Sequence, residues 1–297
     1  MFGIVIVNYK NEQLTIDYLQ KELCKVQSPH VTIVVNNAAT DLSNGYLCNA
    51  LHATLISDIT APLQSSEETI FVLDSRENLG FAKGNNWAVD FLQAHFSCDY
   101  IVFSNNDIQI IDVDVCEQLI AAMETNSHIG VIGPKVVGLK GEYQSPLPYV
   151  SFMNRYCWMY VSTPFISNKK KREIFQLDYA ANALEGEHYI VSGCFFAVRT
   201  QDFIKCGMMD PNTFLYAEET ILAERMKNIN RSVYYLPSVS VLHAHGLTTE
   251  KNLGRKGINK YLMESDIYYY REYMKTPKWK IIIGSFVYRL YCKLKSR

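Results

Sequence analysis

The chain has 297 residues, 48% of them hydrophobic and 20% charged, enough to bury one large core or two modest ones. A formal net charge of -1 excludes the strongly basic balance of a polyanion-binding protein, and no stretch reaches the roughly 18 uninterrupted apolar residues of a membrane span. The eight cysteines (Cys24, Cys48, Cys98, Cys116, Cys157, Cys194, Cys206, Cys292) are scattered without a Cys-x-x-Cys pair, which suits reduced thiols in a cytosol and argues against a disulfide framework or a zinc site.

The start, Met1 to Asn8, has no basic leader and breaks after a few apolar residues, so it reads as a first strand and not as a signal peptide. Ile4 to Tyr9, Val31 to Asn37, Ile70 to Asp74 and Tyr100 to Ser104 are short runs rich in Val, Ile and Phe that each end in polar residues. Between them Leu14, Tyr18, Leu19, Leu23 and Val26, and later Trp87, Ala88, Phe91 and Leu92, recur at helical spacing. Strands alternating with helices predict an α/β fold with a mostly parallel sheet, whose ligand crevice lies beyond the strand ends. Asn8-Tyr9, Asn36-Asn37 and Asn105-Asn106-Asp107 all fall at such ends. From Gly138 to about His188 the pattern is irregular and aromatic and includes the basic run Lys169-Lys170-Lys171-Arg172, as expected of a functional loop or small insertion. Regularity returns with a predicted strand from Tyr189 to Val198 and another from Val233 to Leu236. There is no internal repeat.

Four segments carry candidate chemistry. A carboxylate just past a parallel strand, Asp107, can hold a divalent ion against a diphosphate, although an Asn-Asn-Asp cluster is also a common polar turn. Asn78-Leu79-Gly80-Phe81-Ala82-Lys83-Gly84-Asn85-Asn86 opens a helical pattern, where glycines permit close backbone approach and the helix amino terminus offers N–H groups to a phosphate. The spacing is not Gly-x-Gly-x-x-Gly, which disfavours a dinucleotide fold. Glu218-Glu219 begins another helical pattern; the helix dipole alone favours acids there, and the functional alternative makes one of them a general base. His243 and His245, at alternate positions just after the last predicted strand, could join Asp107 in a mixed oxygen and nitrogen site for magnesium or manganese.

In order, Val7-Asn8-Tyr9, Val35-Asn36-Asn37-Ala38-Ala39-Thr40-Asp41, Asn78 to Asn86, Asn105-Asn106-Asp107, Val191-Ser192-Gly193, Tyr216-Ala217-Glu218-Glu219 and His243-Ala244-His245-Gly246 resemble family 2 glycosyltransferases, most of all the rhamnosyltransferase-like branch. The resemblance covers roughly residues 3 to 250. It implies a GT-A fold over 1–250, with a nucleotide-binding half (1–137) and an acceptor half (138–250) that holds a long variable loop; the residues beyond it, 251–297, read as an amphipathic helical extension. It also implies a Mg2+ or Mn2+ cofactor and inversion at the anomeric carbon. Asp107 matches the last acid of the Asp-x-Asp motif and His243 the histidine that completes the metal or diphosphate site. Asn105 would hold the ribose or the water shell of the metal. Asn8, Tyr9, Asn37, Asn78, Gly80, Lys83, Asn86 and Asn106 fall to the nucleotide-sugar site. Glu219 matches the family's base, with Glu218 the alternative. The implied donor is a UDP- or dTDP-sugar and the acceptor a saccharide, undecaprenyl-diphosphate-linked where bacterial surface polysaccharide is assembled at the inner face of the cytoplasmic membrane. Two departures stand out: Asn36 replaces the usual Asp, and Thr220-Ile221 stands where another Asp is normal.

The tail from Tyr261 is dense in Tyr, Lys and Arg. Trp279 to Tyr291 combines basic, aromatic and aliphatic residues, as in a helix resting at membrane headgroup level, or equally one packing on the domain. Two competing functions remain at this level. A sugar-phosphate nucleotidyltransferase would want a Gly-rich basic loop where Asn8-Tyr9-Lys10-Asn11 stands, and a catalytically silent nucleotide-sugar or glycan-binding subunit gains weight from Asn36 and Ile221.

Overall fold

The computed structural model describes residues 1–63, 69–162, 165–244 and 247–295, without the side chains of 247–253, 255, 256 and 295. His245 and Gly246 therefore lie outside the described residues. The elements run β1 (Phe2–Tyr9), α1 (Glu12–Lys21), β2 (His30–Asn37), α2 (Asp41–Leu51), β3 (Thr54–Ile56), β4 (Ile70–Ser75), α3 (Gly80–His95), β5 (Tyr100–Ser104), β6 (Ile108–Ile110), α4 (Val115–Thr125) and β7 (Ile129–Gly138). The long connection follows, with a π-helical turn (Asn154–Trp158), α5 (Met159–Val161), α6 (Asn168–Ile174) and α7 (Tyr179–Asn182). The chain then continues through β8 (Gly186–His188), β9 (Phe195–Arg199), α8 (Thr200–Lys205), α9 (Glu218–Asn228), β10 (Ser232–His243), α10 (Leu247–Glu272, kinked at Gly254) and α11 (Lys278–Lys295).

One sheet runs through the molecule in the order β3-β4-β2-β1-β5-β9-β7-β10-β6, with β8 on β10. The pairs from β3 to β5 and β7 with β10 are parallel, whereas β9 runs antiparallel to both its neighbours. Helices cover both faces, which is why the inner strands read as unbroken apolar runs. Ile4 and Ile6 of β1 join Ile16, Leu47 and Leu119 from α1, α2 and α4, and the intervening Val5 joins Phe91, Leu92 and Leu222 from α3 and α9. Leaving β1 the chain builds outward through β2 and β4, then returns to add β5 on the opposite side. This reversal beside β1 opens a crevice at the carboxyl ends of the strands.

The first four predicted strands are observed nearly at their expected bounds. Two later ones differ. The run expected as a strand from Tyr189 to Val198 is a strand only from Phe195: the Asn105 N–H donates to the Cys194 carbonyl (2.8 Å) as the last in-register pair with β5, and before it Ile190 pairs instead with Leu147 of the long connection (2.9 and 3.3 Å). The run Val233 to Leu236 is part of the twelve-residue β10, which changes register between Leu236 and Ser240 and continues, so His243 lies in the strand and not after it.

The tail packs on the domain through its own core. Tyr269 and Tyr270 of α10 close on Phe152, Tyr156, Ala217 and Ile221, and Gly284 of α11 lies so near Phe152 and Tyr156 that a Cβ there would meet the Phe152 ring at 2.7 Å. Ile221, which stands where the resemblance would place an acid, is fully buried in this cluster. A carboxylate there would be desolvated among aromatic rings, so the substitution suits the tail's docking.

Candidate active site at the carboxyl ends of the strands

Asp107 and His243 are brought together by the sheet itself. β6 pairs antiparallel with β10 with Ile108 opposite His243, and the Ala244 N–H donates to the Asp107 carbonyl (3.1 Å). His243 Nε2 then lies 3.3 Å from Asp107 Oδ1, both side chains being less than a tenth exposed. On its other side His243 Nδ1–H donates to Gln144 Oε1 (2.7 Å), which orients the ring and turns Nε2 toward Asp107. Burial works against charge on His243, but hydrogen bonds with Asp107 and Cys194 and the negative charge nearby carry its pKa up to about 10. A proton shared between a carboxylate and an imidazole marks a place that a divalent cation can take. Asp107 Oδ1 is buried without a well-formed hydrogen bond, which also fits a ligand position. No cluster of three or more His, Cys, Asp or Glu ligands occurs among the described residues, so an ion here would complete its shell with water and substrate oxygens, as Mg2+ does on nucleotides.

The acid pair opens α9, with Glu219 beside Gly193. Tyr216 and Ala217 both adopt left-handed backbone (φ 74° and 66°), a costly conformation for residues with a Cβ. Neighbours impose it. The Phe214 carbonyl accepts from the Phe81 N–H (3.0 Å), Ser265 Oγ of α10 donates to the Leu215 carbonyl (2.8 Å), and Asn86 clamps Met209 through both main-chain groups (2.8 and 3.1 Å). Behind this loop, buried Asp210 accepts from the hydroxyls of Tyr268 (2.9 Å) and Tyr273 (2.6 Å) and lies 3.2 Å from Arg225.

The two carboxylates differ. Glu218 is buried with no hydrogen-bond partner for Oε1, and burial, then repulsion from Glu219, pushes its pKa up to about 8. Glu219 is half-buried, its pKa raised by burial and by Asp266, with Arg155 acting in the opposite sense. A Cβ on Gly193 would lie 3.3 Å from Glu219 Oε2, so the glycine leaves that carboxylate its space. The turn Ser192-Gly193-Cys194 thus borders both halves of the site, since Gly193 abuts Glu219 while Cys194 contacts His243 and receives the Asn105 N–H.

The remaining candidates divide in two. Gly80 (φ +74°) begins α3 directly under the loop, where a Cβ would meet the Phe214 carbonyl at 2.3 Å. Asn37 caps the same turn, donating to the Gly80 carbonyl (3.1 Å), and Asn78 accepts from the Gly80 N–H (3.1 Å). Asn78 and Lys83 are exposed, Tyr9 and Asn105 half-buried. Asn8 and Asn106, by contrast, are in a buried network beneath the crevice. Asn8 donates to Asn36 Oδ1 (2.8 Å) and accepts from Thr15 (2.9 Å), and Asn106 donates to Thr15 (2.8 Å). Asn36 in turn donates to Asn44 (2.8 Å) and Ser43 (3.0 Å), so an amide serves there where an acid could not donate. Asn86 is likewise spent on the main chain of Met209. Gln144, Arg155 and Asp266 were not legible as site residues, since they lie in the irregular connection and the tail and reach the site only by packing. A groove of about 620 Å3 lined by Lys169, Arg172, Tyr179 and His188 shares no residue with this site.

No family model and no curated protein sequence matches the chain. Solved structures do. A mannosyltransferase from Pyrobaculum calidifontis, in complex with GDP-Man and Mn2+, is similar at a TM-score of 0.59 and 12% identity, over 97% of this chain and 69% of that one. Residues 1–349 of S. aureus TarS give 0.51 and 14%, over 91% and 72%. GalNAc-T7 with UDP, GalNAc and Mn2+ gives 0.58 and 11% over 92% of this chain, which spans about half the length of that one. The chain has the GT-A glycosyltransferase fold, with its sheet flanked on both faces by helices.

Proposed function

We propose that the protein is an inverting, metal-dependent glycosyltransferase that moves a hexose or deoxyhexose from a UDP- or dTDP-sugar to a saccharide acceptor carried on a lipid at the inner face of the cytoplasmic membrane. The observation that supports it most is the turn Ser192-Gly193-Cys194, which puts a carboxylate–histidine pair and a candidate base on its two sides. Similar folds in complex with GDP-Man and Mn2+, or with UDP and Mn2+, add to it.

Asp107 and His243 would hold the cation, and the start of α3 with Asn78 and Lys83 would face the donor. Mg2+ or Mn2+ bound there would supply the positive charge that offsets the charge developing on the leaving nucleoside diphosphate. Glu219 removes the proton from an acceptor hydroxyl as its oxygen bonds to the anomeric carbon and the bond from that carbon to the diphosphate oxygen breaks. One displacement inverts the centre, by analogy with inverting glycosidases. Burial and repulsion from Glu219 raise the pKa of Glu218 to about 8, so Glu218 remains protonated near neutral pH and is the poorer choice of base.

A thermal-shift panel of nucleoside diphosphates and nucleotide sugars, each with manganese or chelator, tests the donor half. The native protein should be stabilised by a UDP or dTDP ligand only with metal, and Asp107→Ala should lose that response. Glu219→Gln should keep it and lose about 100-fold or more in turnover. Metal-independent stabilisation, or none by any nucleotide, would overturn the reading.

A further inference from the structure

α11 has two faces of opposite character. At ~100° per residue, Ile281, Gly284 and Tyr288 fall on one side, and it is this side that packs on the domain, Gly284 against Phe152 and Tyr156 and Tyr288 against Tyr156 and Tyr160. The other side carries Trp279, Ile282, Ile283, Phe286, Leu290 and Leu294 within an arc of roughly 120°. All six are exposed, Ile282 and Phe286 by 68% and 67%. Lys278 and Arg289 flank this arc on one side and Lys280 on the other, Lys293 lies within it, and α11 contains no acid. No described helix is long and apolar enough to cross a membrane.

We propose that the outer face of α11 docks on an anionic phospholipid surface, lying in the headgroup plane with its apolar arc inserted. The charge favours this occupant over a second copy of the chain. Two α11 helices face to face would set like charges against one another, and lysine is depleted from protein interfaces, whereas each lysine near an anionic leaflet strengthens binding about fivefold. The Trp at the first turn and the lysines around the arc are the composition of an interfacial helix.

The same helix is joined to the candidate site. Tyr156, under α11, bonds Asp266 of α10, and Arg155 pairs with Asp266 at 2.6 Å; these two charges act on Glu219. Docking α11 would therefore hold the acceptor side of the crevice near the bilayer, where a lipid-carried saccharide presents its hydroxyl. The docking stands on α11 alone; its bearing on the acceptor rests on the glycosyltransferase reading.

Co-sedimentation of the full chain with vesicles of phosphatidylcholine, or of equimolar phosphatidylcholine and phosphatidylglycerol, tests it. The native protein should pellet with the anionic vesicles only, and less so as salt is raised. The double variant Ile282→Asp/Phe286→Asp, which alters only exposed positions, should bind tenfold or more weakly, and Lys278→Glu/Lys280→Glu should bind weakly too. Native protein left in the supernatant, or undiminished binding of the Asp variant, would overturn the proposal. So would light scattering that shows a native dimer made monomeric by the Asp variant. The manganese-dependent nucleotide shift is measured on the same preparations. Its loss in native protein that still binds vesicles would sink the donor reading alone, and its retention without vesicle binding would sink the docking alone.

Discussion

Replacing Glu218 by Gln should stabilise the protein at alkaline pH and change it little in mild acid. The carboxyl is buried at the start of α9 with Oε1 unpartnered, and burial with the neighbouring Glu219 charge moves it from an ordinary 4.5 to about 8. The folded state keeps a proton that the unfolded chain has already released, so stability falls as pH climbs from about 4.5 to about 8 and the cost is full above that. At ~1.4 kcal/mol per pH unit the gap amounts to at most about 5 kcal/mol, less whatever local relaxation recovers. A neutral amide of the same shape escapes that cost. The melting temperature of Glu218→Gln should therefore match the native protein near about pH 5 and exceed it by up to on the order of 10 °C near about pH 9. Calorimetry of both proteins across that range is the assay. An equal difference at every pH, or a Gln variant that is less stable in alkali, would mean that the carboxylate is solvated or paired, and the case for preferring Glu219 to Glu218 as the base would fall with it.

Two further substitutions test the scaffold. Gly80→Ala combines a left-handed backbone with a Cβ at 2.3 Å from the Phe214 carbonyl, so it should cost about 2 kcal/mol or more in urea unfolding and, by pushing the Phe214 loop off α3, weaken the nucleotide thermal shift. Asp210→Asn breaks a buried pair with Arg225 and should cost about 3 kcal/mol at neutral pH. Burial opposes the Asp210 charge, but hydrogen bonds from Tyr273, Asn212 and Tyr268 outweigh it and hold its pKa below the ordinary 3.8. That stabilisation is complete above 3.8 and lost as pH falls below it, so native and variant proteins should converge in stability in acid.

The sequence by itself determined the first half of the sheet. β1, β2, β4 and β5 are buried on both faces, and a run such as Tyr100-Ile101-Val102-Phe103 is apolar whatever its neighbours, so strand type and end were legible locally. The positions at or just past those ends, Asn37 and Asp107, were legible for the same reason, since a parallel strand delivers its next residues to the crevice. Tertiary structure decided the rest. The start of β9 is set by Ile190 pairing with Leu147 of the long connection, and the length of β10 by pairing with β7 and β6 across a register change, contacts between residues far apart in the chain. Whether an asparagine lines a crevice or floors it depends on its partners: Asn8 bonds Asn36 directly and reaches Asn106 through Thr15, all out of reach of solvent, while Asn78 remains exposed. Glu218 and Glu219 are chemically alike and adjacent, and only packing makes them unlike, because desolvation and the charges of Arg155 and Asp266 come from segments folded against α9.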